Sequence, residues 1–210
     1  MVASGTPRRQ LRLPFRAVRA LVLAVTIVAA AALASAASGR EAGLPGEMRS
    51  AGPWPANNGL ALGPRLKAIG IAKLKEEGQR LHTHQHLDIV VNGQGYRIPS
   101  GIGIDRRDRF ISPLHTHDFS GITHIESPVV RAFTLGQLFD VWGLRFTSKC
   151  LGAHCDKGKR RVWVFVNGAK VFGDPRALRL REHQEIVVAY GTYASIPKPI
   201  PWFYPFPDGL

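Results

Sequence analysis

"FISPLHTHDFSGITHIES", residues 110–127, is the stretch from which the fold is read. It predicts a β-hairpin with Asp118, Phe119, Ser120 and Gly121 as a four-residue loop. That loop length pairs His117 with Ile122, His115 with His124 and Pro113 with Glu126. Side chains alternate along a strand, so His115, His117 and His124 leave the same face. Opposed residues in such a ladder have Cβ atoms about 5 Å apart, and diagonal neighbours about 7–8 Å apart.

On either side of this hairpin the chain keeps a period of two. Upstream, "HLDIVVNGQGYRIPSGIGI" (86–104) predicts two strands around a turn at Asn92–Gly95. Downstream, "TLGQLFDVWGL" (134–144) changes to helical spacing, with Thr134 as N-cap and Leu135, Leu138, Phe139 and Trp142 as an apolar stripe. "RVWVFVNGAKVF" (161–172) predicts another hairpin turning at Asn167-Gly168, and "EIVVAYG" (185–191) a last apolar strand. A short helix beginning near Pro64 and ending at Gly70 precedes them all. The tail, "SIPKPIPWFYPFPDGL", is predicted to run extended over the domain, because proline cannot donate to a ladder. Together these elements predict an α+β domain: an antiparallel or mixed β-sheet with one main helix, in a β-grasp-like arrangement. A β-sandwich is the alternative.

The chain ends bound the domain. Residues 1–40 carry six arginines and no acid, nearly half of the net charge of +13. Five of the arginines precede an uncharged run, Ala20–Gly39, whose apolar centre is "LVLAVTIVAAAAL". Ala34-Ser35-Ala36 offers a small-residue cleavage site. This predicts a signal peptide, or an uncleaved signal anchor that holds the chain to the membrane with the rest facing outward. Residues 41–55, rich in Gly and Pro, read as a linker, and 56–210 as a single histidine-rich domain. The remaining basic residues are scattered apart from "KGKRR" (157–161), which reads as a solvated loop, so no nucleic-acid partner is expected.

Six of the eight histidines fall in two patches: His82, His84 and His86 in "LHTHQHLD", and His115, His117 and His124 in the hairpin. His-x-His on one strand with a third His on its antiparallel neighbour can hold a divalent ion at about 2.0–2.1 Å from each nitrogen. In the first patch alternate imidazoles lie about 7 Å apart and the outer two about 13 Å, so all three cannot share one ion. His84 or His86 is expected to assist the hairpin set. Imidazole donors without neighbouring Met or Cys point to Cu(II) or Zn. The arrangement is not a cupin's, since Glu126 lies nine residues after His117. Cys150 and Cys155 are expected to form a disulfide in an exported chain.

The motifs "HTHQHLDIVVNG", "IPSGIGI", "LHTHDFSGITHIESP", "FTLGQLFDVWG" and "VFVNGAKVFGDP" together resemble a family of exported bacterial proteins, marked by HTHxHL and LHTHDxSGxxHxESP, with no assigned activity. The resemblance covers roughly 55–210 and implies an exported single domain. Three functions follow from the residues. The first is an extracytoplasmic metal-binding domain for storage, sensing or delivery of copper or zinc. The second is a His-ligated metalloenzyme with Glu126 as acid or base. The third is a structural or adhesion module with no metal.

Overall fold

The computed structural model describes residues 43–210 and Met1. The leader expected over residues 1–40 otherwise lies outside the described residues. No helix among the described residues is long and apolar enough to cross a membrane.

The sheet is built around two long strands. β1 (Leu81–Val91) and β11 (Gln184–Gly191) run parallel, with His86 opposite Glu185 and Ile89 opposite Val188. β6 (Ile122–Ser127) pairs antiparallel with the start of β1. β5 (Leu114–His115) extends that side. β9 (Arg161–Val166) pairs antiparallel with β11, and β10 (Ala169–Lys170) closes the other edge. The order is β10-β9-β11-β1-β6-β5, and β2 (Gln94–Tyr96) folds back onto the end of β1. A parallel central pair flanked by antiparallel neighbours, with a helix in the crossover between the two halves, is the β-grasp arrangement that the hairpins and helix predict. There is one main mixed sheet, not a sandwich; β3 (Ile104–Asp105) with β4 (Phe110–Ile111), and β7 (Cys150–Leu151) with β8 (His154–Cys155), form two small ribbons.

The main helix, α2 (Leu135–Trp142), has the expected ends. Thr134 accepts from the Gln137 amide while the Gln137 side chain accepts from the Thr134 amide, and Gly143 leaves the helix at φ 75°. Its Leu135, Leu138, Phe139 and Trp142 pack with Leu87, Ile89 and Val91 of β1 and Ile186, Val188 and Tyr190 of β11 in the main core. The other helix, α1 (Leu62–Ala68), begins two residues before Pro64. Its Arg65 is fully buried and donates to the carbonyls of Pro45, Asn57 and Val141. Burial lowers the Arg65 pKa to about 10.

Alternation dictates the rest. The odd residues of β1 face α2, so the even ones, His82, His84 and His86, face away from it. On that second face Val90, Phe165, Val187 and Ala189 form a smaller core with Ile196 and, at its margin, Ile200. The tail therefore lies over the sheet as expected, which explains why β11 is apolar without alternation: it is buried on both faces.

Three segments depart from the sequence reading. Residues 43–55, expected to be a linker, pack on the domain: Met48 bridges to Leu144, and Trp54 is in the main core. The run from Arg97 to Gly103 is not a strand, because Pro99 and two glycines at positive φ, Gly101 and Gly103, turn it. Phe110 and Ile111 pair with β3 instead of β6, since Pro113 interrupts the strand; the ladder to β6 starts at Leu114.

Candidate metal centre

The register expected for the hairpin is the one found: His115 stands opposite His124. His124 is also opposite His84 on its other side, and Glu126 is opposite His82. β6 thus lies between the two histidine-bearing strands, and all these side chains leave the sheet face away from α2. His117 follows β5, just before the turn. There Asp118 accepts from the Ser120 amide (2.8 Å), and Gly121 has φ 92°. A side chain at Gly121 would collide with His86 and the Leu87 carbonyl, so this position needs glycine on two counts.

Five imidazoles and one carboxylate converge. His82 Nε2 lies 3.1 Å from His84 Nε2 and 3.3 Å from Glu126 Oε1. His124 Nδ1 lies 3.2 Å from the same oxygen. His115 Nε2 lies 3.1 Å from His117 Nε2 and 3.8 Å from Glu126 Oε2. The donor atoms of His82, His84, His124 and Glu126 fall within 4.8 Å of one another, as do those of His115, His117, His124 and Glu126. These His/Glu groups are within metal-binding distance. His84, His115, His124 and Glu126 are buried, while His82 and His117 reach solvent.

The electrostatics suit neutral donors. Burial, with the neighbouring imidazoles, pushes the His115 and His124 pKa values down to about 3, and that of His84 also falls. Burial, helped by the adjacent Glu77 carboxylate, raises Glu126 to about 7. Without an ion, the close contact of His124 with Glu126 is therefore one of neutral groups at mildly acidic pH. His115 Nδ1 donates to the Ser112 carbonyl (3.0 Å), so in the neutral ring Nε2 carries the lone pair toward His117. Glu182 Oε1 accepts from the His84 amide and lies 3.8 Å from His84 Nδ1. Glu77 Oε1 lies 3.3 Å from His117 Nε2.

His86 is placed apart from the other five. Its Nδ1 faces Glu185 Oε2 (2.8 Å) and its Nε2 the Ser120 carbonyl (2.9 Å), so both nitrogens already have oxygen partners. Its pKa is raised: burial lowers it, but the Glu185 hydrogen bond and charge outweigh that. The ring is covered by Tyr204 of the tail, stacked at 3.7 Å between centroids. His86, Asp88 and Glu185 form a further group of close donor atoms, but the imidazole there ties the turn of the hairpin to β11. His154 is elsewhere, bound to the carbonyl of Ala51, while His183 Nε2 faces the Leu210 carbonyl (2.8 Å) and lies 3.1 Å from Glu182 Oε1, outside the two donor groups.

Sequence reasoning missed Glu77, Glu182 and the Ser112 carbonyl. Glu77 sits in the charged run "KLKEEG" and Glu182 in a loop before β11, neither with a local signal. Cys150 and Cys155 are bonded across β7 and β8, a link that persists in oxidising surroundings.

No family model matches the chain, and neither does any curated protein or solved structure.

Proposed function

We propose that this is an exported protein that binds divalent copper or zinc outside the cytoplasm, for storage, sensing or delivery. One observation carries the reading: five imidazoles and a buried glutamate converge with donor atoms 3.1–3.8 Å apart. Five imidazoles packed against one another and against a desolvated carboxylate are costly to hold neutral and close without a group to which they all donate electron pairs. A cation is such a group. Imidazole donors favour Cu(II) or Zn over Mg or Ca. Export is supported by the arginine-led apolar leader, by the disulfide and by the family resemblance of the histidine motifs. If the leader stays uncleaved, it would tether the domain to the outer face of the cytoplasmic membrane.

A metalloenzyme is the second reading, and one observation favours it. Glu77, beside His117, also lines a hollow of about 500 Å³ with Lys75, Arg106, Arg109 and Phe110. A substrate there would sit next to His117 and the other converging imidazoles. Glu126, placed among the imidazoles, is then a ligand, and Glu77 is the candidate acid or base.

The test is the metal content of full-length protein prepared from the cell envelope without a histidine tag. Copper or zinc at stoichiometric levels is expected, with half or more of it lost when His115, His117 and His124 are all replaced by Ala. Metal-free protein that stays metal-free in excess Cu(II) and Zn(II) would overturn the proposal.

A further inference from the structure

Glu126 does not stand at the end of one ligand set; it stands between two. Its Oε1 lies toward His82 and His124, and its Oε2 toward His115. The imidazoles come in pairs, His82 with His84 and His115 with His117, each with Nε2 atoms 3.1 Å apart. That spacing is close to the roughly 3.4 Å between neighbouring nitrogens around a tetrahedral ion with bonds of about 2.0–2.1 Å. The two pairs, however, do not fall together within one set of donors 4.8 Å across. Ligands of a single ion at such bond lengths can be no more than about 4.2 Å apart.

We propose that the site holds two divalent ions bridged by Glu126, one on His82 and His84, the other on His115 and His117, with His124 between them. This rests on the metal-binding reading above and adds stoichiometry and arrangement to it. The two halves are built alike. Each pair has one buried imidazole, His84 or His115, and one that reaches solvent, His82 or His117. Each has its own flanking carboxylate, Glu182 beside His84 and Glu77 beside His117. Three carboxylates offset much of the charge of two dications. A carboxylate bridge places such ions about 3.5–4 Å apart. Each ion keeps a solvent-facing side, where a second small ligand or a receiving protein can reach it.

The experiment uses the full-length chain without a histidine tag, stripped by chelator and dialysed against excess Cu(II) or Zn(II). Metal per chain is measured by mass spectrometry, and the copper form by electron paramagnetic resonance. Two ions per chain are expected, with a copper spin count well below two and a half-field transition from the coupled pair. His82→Ala with His84→Ala, and His115→Ala with His117→Ala, should each leave one ion with its full, uncoupled signal. One ion per chain in the parent would overturn the two-ion site but leave metal binding standing. No ion would overturn both. Two ions with a full uncoupled spin count would overturn the bridge. The parent alone decides among these outcomes, so the test survives a variant that fails to fold.

Discussion

His84 and His124 face each other across the β1–β6 ladder, their rings edge to face at 4.7 Å between centroids. The contact exists because β1 and β6 meet in one register only; a shift of one residue would turn His124 toward α2. His84 is in turn held from behind by Glu182, which accepts from its amide and lies near its Nδ1. Groups that orient a metal-binding imidazole are worth about 10–100-fold in affinity. Glu182→Ala should therefore weaken metal binding by about tenfold or more in a competition titration against a chelator. His154→Ala, whose imidazole bonds the Ala51 carbonyl away from the cluster, should leave it unchanged.

His115 and His124 should make the metal-free protein sensitive to acid. His115 and His124 have pKa values near 3 when folded, against 6.5 when free. The unfolded chain thus binds more protons, and the stability these rings contribute above pH 6.5 is lost as pH falls toward 3. Glu126 acts oppositely: raised from 4.5 to about 7, it makes the folded state lose stability as pH rises through that interval. His84 acts with the two rings, and His86 and Glu185, both raised, act with Glu126; replacing His115 and His124 by Gln should therefore lessen the loss of Tm between pH 6.5 and 5. Glu126→Gln removes one opposing effect and should steepen the slope. An unchanged loss in the variant lacking His115 and His124 would contradict this.

Metal binding should weaken below about pH 6, because an imidazole must be neutral to ligate. Affinity measured at pH 7.5 and 5.5 would show it, and unchanged affinity would speak against imidazole donors.

The disulfide is structural and local. A loop this short restricts the unfolded chain modestly, by roughly 2 kcal/mol. Reduction should lower stability by about that amount without releasing metal, since Cys150 and Cys155 lie on the small β7–β8 ribbon, not in the histidine groups. Protein from the cell envelope, unfolded without reductant, should label at neither cysteine. Two reactive thiols would refute the bond.

Arg65 should matter more to folding than to the site. Its guanidinium supplies donors to Pro45, Asn57 and Val141 carbonyls, and Arg65→Met would leave buried acceptors without partners. The cost should be on the order of 3 kcal/mol in denaturant unfolding, with metal content per folded molecule unchanged.

Much of this was legible because local chemistry wrote it. The "DFSG" loop length set His115 against His124, and Thr134 with Gln137 marked the start of α2. The turn at Asn92-Gly93 lies where it was expected, but tighter, with both residues at positive φ. What was not legible depends on residues far apart in the chain. Nothing near Glu77 or Glu182 says that they flank imidazoles, and nothing near His86 says that β11 will bring Glu185 to its Nδ1. Trp54 reads as part of a linker because its burial depends on Tyr96 and on contacts the segment itself does not contain.

The parallel pairing of β1 with β11 has a kinetic side. His86 and Glu185 are 99 residues apart, so the two middle strands cannot join until nearly the whole chain is available. Pairings of such long range close slowly, because the entropy of the intervening loop is lost before any contact repays it. A nascent chain would leave β1 without its parallel partner while its N-terminal half emerges, and His86 would lack Glu185. On the proposed export, that delay would keep the polypeptide passable in transit and leave closure of the central sheet to the compartment where the last strand arrives.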